Sequence, residues 1–145
     1  VIPRAQELID TLGLQRHPEG GWYRQIFKSE ERVIRQRDDA NRSALTTIYF
    51  LLAEGTYSAW HRVSSDEVWH FYEGDALELL TRDATITLDA NHRVHVIRAG
   101  EWQAARPLGA YTLVGCTVGP GFEFEDFEMK AGPLDSVAPL VRGPI

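Results

Sequence analysis

A single cysteine, Cys116, stands among 145 residues. No disulfide can form within the chain, no cysteine-based zinc ligand set can be assembled, and a reducing, cytoplasmic setting is expected. Basic excess is missing as well, since 15 Lys and Arg stand against 21 Asp and Glu, for a net charge of −6. Nucleic acid is therefore not an expected partner, because phosphate backbones are bound through clustered Lys and Arg. No apolar run approaches the ~18 residues of a membrane-spanning helix, and the N-terminus shows no basic-then-apolar signal pattern, so no membrane partner is expected either. No internal repeat or low-complexity tract divides the chain. One domain over 1–145 is expected, of a size able to hide roughly 68–70% of its unfolded surface.

What is present is mostly strand. A short helix is predicted first, over 1–14, with Pro3 at its start, Ala5, Leu8, Ile9 and Leu12 on one face and Gly13 at its end. "HPEGG" (17–21) then breaks the helical pattern, and aromatic and β-branched residues after it favour a strand. Residues 28–42 mix charges of both signs and read as a solvated hairpin or loop. From Thr46 onward, runs such as "TTIYFLLAEG", "EVWHFYEG" and "YTLVGCTVG" follow one another at short spacing, eight in all if "FEFEDFEM" (122–129) is included. That number of antiparallel candidates predicts an all-β jelly roll. The end of the chain, 130–145, holds three prolines and two glycines and is expected to be an extended tail.

The stretch "GTYSAWHRVSSDEVWHFYEG" (55–74) carries the chemistry. Gly55, His61, Glu67 and Gly74 fit the spacing G(x)5HxH(x)3,4E(x)6G, with Val63 in place of its second histidine. Further on, Gly100, Pro107 and Gly109 fit G(x)5PxG(x)2H(x)3N with one extra residue, while Thr112 and Cys116 occupy the histidine and asparagine positions. These spacings resemble the two cupin motifs. Together with "HPEGGWYR", "IYFLLAEG" and "WQAARPLGAYTLVGCTVGPGFEFEDFEM" they closely resemble the cupin family often called cupin five. The resemblance, which runs from the first helix to about Met129, implies a cupin double-stranded β-helix and a homodimer, without an agreed reaction. Metal-binding cupins generally use three histidines and one glutamate, of which His61 and Glu67 alone are kept here. No cofactor is expected; if a divalent metal were bound, His61 and Glu67 would be its ligands. His70, three residues from Glu67, points to the other face of a regular strand.

Strand parity puts Tyr57, Ala59 and Val63 inward with His61, Trp69 and Phe71 inward with Glu67, and Val114 and Cys116 inward with Thr112. The expected interior is an apolar, aromatic cavity suited to a small molecule. In the first reading a metal-independent, epimerase- or isomerase-like enzyme acts there on a carbohydrate or nucleotide-sugar, by resemblance to the dTDP-4-dehydrorhamnose 3,5-epimerases. His61 is then the general base, Glu67 orients it, and Tyr57 or Tyr49 returns a proton. Arg24, with Arg62 or Arg106, would hold a ligand carboxylate or phosphate at the mouth, and Tyr49, Trp69, Thr112 and Cys116 would contact the ligand. In the second reading the same cavity binds or senses a ligand without turnover; a metal-dependent enzyme is the third. Each residue also has a structural reading: His61 and Glu67 as an interior polar pair, Trp69 as core, Cys116 as a small buried hydrophobe. His17, His92 and His95 are expected at the surface, as are Glu123 and Glu125, with Phe122 and Phe124 turned to the core.

Overall fold

Pro3 starts, and Gly13 ends, a helix α1 over Pro3–Leu12 in the computed structural model, which describes residues 2–130. Of the tail expected at 130–145, all but Lys130 lies outside the described residues. Proline suits the first turn because its missing N–H would have had no partner there. The backbone N–H of Gly13 donates to the carbonyl of Ile9 and closes the helix. Ala5 and Leu8 are buried against Leu14, Leu51 and Leu113, so the predicted apolar face is the one that packs.

Thirteen strands follow among the described residues: β1 (Gln15–Arg16), β2 (Trp22–Lys28), β3 (Arg32–Ile34), β4 (Asn41–Ser43), β5 (Thr46–Ala53), β6 (Ser58–Val63), β7 (Asp66–Gly74), β8 (Leu77–Thr81), β9 (Thr85–Leu88), β10 (Val94–Ile97), β11 (Gln103–Pro107), β12 (Tyr111–Gly119) and β13 (Phe127–Met129). They form a six-stranded sheet ordered β1-β2-β5-β12-β7-β10, a five-stranded sheet ordered β13-β6-β11-β8-β9, and the small β3-β4 hairpin. Every named pairing is antiparallel. The two large sheets face each other across a core in which Phe50, Leu52, Trp69, Phe71 and Val114 of one meet Leu77, Leu79, Leu88 and Ala105 of the other. A large apolar side chain hidden this fully stabilises the fold by about 1.5–3 kcal/mol. The helix lies on the opposite, outer face of the six-stranded sheet.

Three expectations are changed by packing. Strand β11 was not foreseen, because Ala-Ala-Arg-Pro has low strand propensity; its small Ala104 and Ala105 are fully buried between neighbours, and context outweighs propensity. "FEFEDFEM" is not one strand: Phe124–Asp126 is a turn of 3₁₀ helix and only Phe127–Met129 pairs with β6. The charged 28–42 segment does form a hairpin, but Arg35 and Arg42 are buried and both grip Asp126. Arg42 reaches it through Nε at 2.9 Å and Nη2 at 2.8 Å. The hairpin thereby pins the 122–129 segment across one end of the barrel.

Candidate functional site

That end of the barrel encloses a cavity of about 130 Å³, lined by His17, Glu19, His61, Glu67 and Cys116, by Val63 and Val118, and by the rings of Tyr23, Phe122, Phe124 and Phe127. Strands β5, β7 and β12 supply Thr46, Ile48, Glu67, Cys116 and Val118 by simple alternation. The phenylalanines come from the segment that Asp126 anchors.

On β6 alternation fails, and the failure shapes the site. Gln103 pairs with His61 while Ala105 pairs with Ser58, so two steps on β11 match three on β6. The extra residue is a bulge, which turns Ser58 inward along with His61. Tyr57 is carried outward instead and packs beside Trp60 and Trp102 on the outer face of the five-stranded sheet. Ala59 likewise does not line the cavity.

His61 is 2% exposed, and its Nδ1 lies 2.7 Å from the carbonyl oxygen of Ala59. A carbonyl only accepts, so Nδ1 carries the hydrogen and Nε2 keeps its lone pair. Burial lowers the pKa of this imidazole, partly opposed by Glu67 and by the Ala59 bond. Glu67 accepts from Gln103 Nε2 at 2.8 Å, and Gln103 in turn accepts from the indole N–H of Trp69 at 2.9 Å. Burial raises the pKa of Glu67, with the His61 interaction opposing it. The carboxylate within ion-pair distance of His61 is a different one: Glu19 Oε2, 3.3 Å from Nδ1.

Glu19 and His17 belong to "HPEGG", which runs along the cavity wall as well as turning the chain. His17, expected at the surface, is buried, with its ring 4.5 Å from that of Tyr23 and roughly perpendicular to it. Its Nδ1 accepts from the Glu19 backbone N–H at 3.1 Å, leaving the hydrogen on Nε2, 3.4 Å from Glu19 Oε1. Desolvation, with a smaller contribution from His61, lowers its pKa to about 3. Glu19 receives the Ser58 hydroxyl, yet burial still raises its pKa to about 8. The loop lies so close to β6 because Gly20 adopts φ 111°, and a Cβ there would sit 1.9 Å from the Tyr57 carbonyl oxygen. Two glycines after a His-x-Glu were the available sequence signal, and only the fold says which way the loop faces.

Of the residues singled out from sequence, His61, Glu67 and Cys116 meet in the cavity, and Tyr57, Arg24, Tyr49, Trp69 and Thr112 do not line it. Arg24 is exposed on the outer face of the six-stranded sheet, where it donates to the Leu12 carbonyl at 3.2 Å. Tyr49, paired with Arg24, faces outward beneath α1. Trp69 fills the core and acts on the site only through Gln103. Thr112 turns its hydroxyl to the Asp75 carbonyl at 2.7 Å. The Cys116 thiol lies by Glu67, and burial raises its pKa well above the ordinary value. Arg62 and Arg106 pair with Glu128 and Glu78. His70 stacks on Tyr72 on the outer face, away from Glu67.

The four-ligand metal set of the fold does not fit these side chains. Val63 presents hydrocarbon and Thr112 is engaged elsewhere, so only His61 and Glu67 of the four positions carry a group able to ligate. Among the described residues, no three His, Cys, Asp or Glu side chains are grouped so as to hold a metal ion. No described helix is long and apolar enough to cross a membrane.

Comparison with known proteins agrees with this architecture. A family model described as "Cupin superfamily (DUF985)" matches residues 6–130. A hypothetical protein from Leishmania major superposes with a TM-score of 0.83 at 28% identity, over 88% of this chain and 87% of that one. A protein from Shewanella oneidensis does so at 0.76 and 32% identity, over 88% and 84%. A cupin-like protein from Thermotoga maritima shares the fold at 0.61 and 11% identity, over 84% of each chain. No curated protein matches the chain.

Proposed function

Since this chain belongs to the cupin superfamily, in the family DUF985, we propose that it is an acid–base catalyst for a small molecule, moving a proton at a carbon next to a carbonyl without using a metal. The observation that carries the reading is the fixed tautomer of His61, whose Nδ1–H is held by Ala59 so that Nε2 is left as an unprotonated base beside an enclosed cavity. Acid and base are both at hand at neutral pH: His61 Nε2 accepts the proton of the breaking C–H bond, and protonated Glu19, held at about 8, donates to the oxygen that becomes an enol. Glu67, buried nearby, stabilises the imidazolium that forms. The imidazolium then returns its proton to the neighbouring carbon of the enediol while the Glu19 carboxylate takes the proton of the other hydroxyl, which isomerises the substrate and restores both groups.

The surroundings narrow the substrate. Among the described lining residues there is no Lys or Arg, so a sugar diphosphate would find no counter-charge, and a small carbonyl compound without phosphate fits better than a nucleotide-sugar. We also infer a homodimer through the outer face of the six-stranded sheet, where Phe27, Tyr72, Val94 and Val96 are about half exposed. An apolar surface of this kind favours contact with a second copy.

Proton NMR in D₂O tests the chemistry, by following loss of the C–H signal next to the carbonyl across a panel of small ketones and aldoses, neutral and charged. His61→Asn keeps a donor for the Ala59 carbonyl while removing Nε2. Exchange by the wild type that falls by about 10²–10⁴-fold in this variant is expected; exchange unchanged in a folded His61→Asn protein would refute the assignment. Binding of a panel member without any exchange would favour the non-catalytic reading.

A further inference from the structure

The same cavity joins acidic groups to aromatic ones without a cation of its own. Glu19 and Glu67 are 8% and 7% exposed, and the described lining has no Lys or Arg to balance them. The imidazoles bring hydrogens but no charge: His17 Nε2 lies 3.4 Å and His61 Nδ1 3.3 Å from the Glu19 carboxyl, and burial favours the neutral form of both rings. Buried carboxyls in such surroundings favour whichever ligand brings positive charge.

The rest of the wall selects the kind of cation. Phe122, Phe124 and Phe127 have ring centroids 5.0–6.2 Å apart and interplanar angles of 76–81°. All three rings line the cavity, so its wall at this end is aromatic, with the negatively polarised faces and positive edges that such rings carry. Such faces attract weakly hydrated, alkylated cations. An inorganic ion would need a cluster of ligands, which the described residues do not form.

We propose that the cavity takes a small organic cation, an alkylated ammonium or a cation of the same shape, with the Phe122–Phe124–Phe127 wall against its head and Glu19 as its counter-charge. The proposal stands apart from the acid–base reading, because a cation balanced by ionised Glu19 takes away the proton which that reading has Glu19 donate. Glu19 is held up to about 8, so at neutral pH it is mostly protonated and must give up that proton when the cation arrives. Binding therefore releases close to one proton per site.

Isothermal titration calorimetry of the full chain, in two buffers of different ionisation heat, tests this with choline and with its uncharged carbon isostere 3,3-dimethyl-1-butanol. Choline is expected to bind roughly tenfold more tightly than the isostere, with proton release that Glu19→Gln removes. Phe124 is 49% exposed, so Phe124→Leu should fold, as circular dichroism would verify, and should weaken choline several-fold while leaving the isostere unchanged. Equal affinity for the two probes, choline binding without proton release, or no choline binding in the millimolar range would each overturn the proposal. Carbon-proton exchange confined to neutral ketones, together with failed choline binding, would sink this inference and spare the acid–base reading. Choline binding with no exchange on any carbonyl compound would do the reverse.

Discussion

Glu19 donates its backbone N–H to Nδ1 of His17 at 3.1 Å, and the same histidine presents Nε2 to the Glu19 carboxyl at 3.4 Å. One turn of loop thus sets both the tautomer of an imidazole and the surroundings of an acid. The pair has no charged neighbour that would hold either member ionised, and burial drives both toward their neutral forms.

Stability should therefore depend on pH in a definite sense. Glu19 has a folded pKa of about 8 against an ordinary 4.5, so its contribution is complete below 4.5 and is lost as pH rises toward 8. His17, lowered to about 3 from 6.5, acts oppositely: its contribution is complete above 6.5 and is lost as pH falls toward 3. Between 6.5 and 8 the carboxyl effect stands without the histidine one, and wild-type stability should fall by at most about 1.4 kcal/mol per pH unit for this group. Urea unfolding across that interval should show a flatter profile for Glu19→Gln than for wild type. Parallel profiles would mean that Glu19 is not held protonated.

Asp126→Asn should loosen the segment bearing Phe122, Phe124 and Phe127. The Asp126 side chain is 6% exposed and is shared by Arg35 and Arg42, 6% and 11% exposed. Removing one charge from such a buried group leaves the others uncompensated and costs about 3–5 kcal/mol. Denaturant unfolding measures this; a loss below about 1 kcal/mol, the worth of a solvated surface pair, would show that the clamp is screened by water.

Gly20→Ala should damage the site through the backbone. Its φ of 111° strains any L side chain, at about 1–3 kcal/mol, and its Cβ would overlap the Tyr57 carbonyl oxygen. The HPEGG loop should be displaced from β6, lowering the melting temperature and exposing His17, which NMR would read as a histidine titrating nearer 6.5. A His17 that still titrates near 3 in this variant would show that the loop tolerates the methyl.

Val96→Lys should turn the inferred dimer into a monomer without unfolding it, because Val96 is 49% exposed on an edge strand. Light scattering coupled to gel filtration gives the mass directly. A wild type that is already monomeric would remove the dimer from the reading.

Much of this protein was legible before any fold was known. The jelly roll follows from short alternating runs, and Trp69, Phe71, Val114 and Cys116, assigned inward by parity, do face the interior. His61 and Glu67 were found by motif spacing, and both line the cavity. Such features are local, written in a periodicity of two and in fixed intervals between glycines.

Only the tertiary structure decided the rest of the site. The bulge on β6 depends on how β11 pairs with it, so parity counted from His61 misplaced Tyr57 and could not foresee Ser58 facing inward. The facing of HPEGG depends on a contact between Gly20 and Tyr57, far apart in the chain, and this contact brings in His17 and Glu19. Arg24 and Tyr49 were assigned to the pocket by residue type, but strand register places them on the outer face beneath the helix. Sequence by itself determined which residues alternate and where the chain turns, because those follow from each residue's own backbone and side chain. Which acid stands beside His61 is a matter of contact between distant segments, and packing alone settles it.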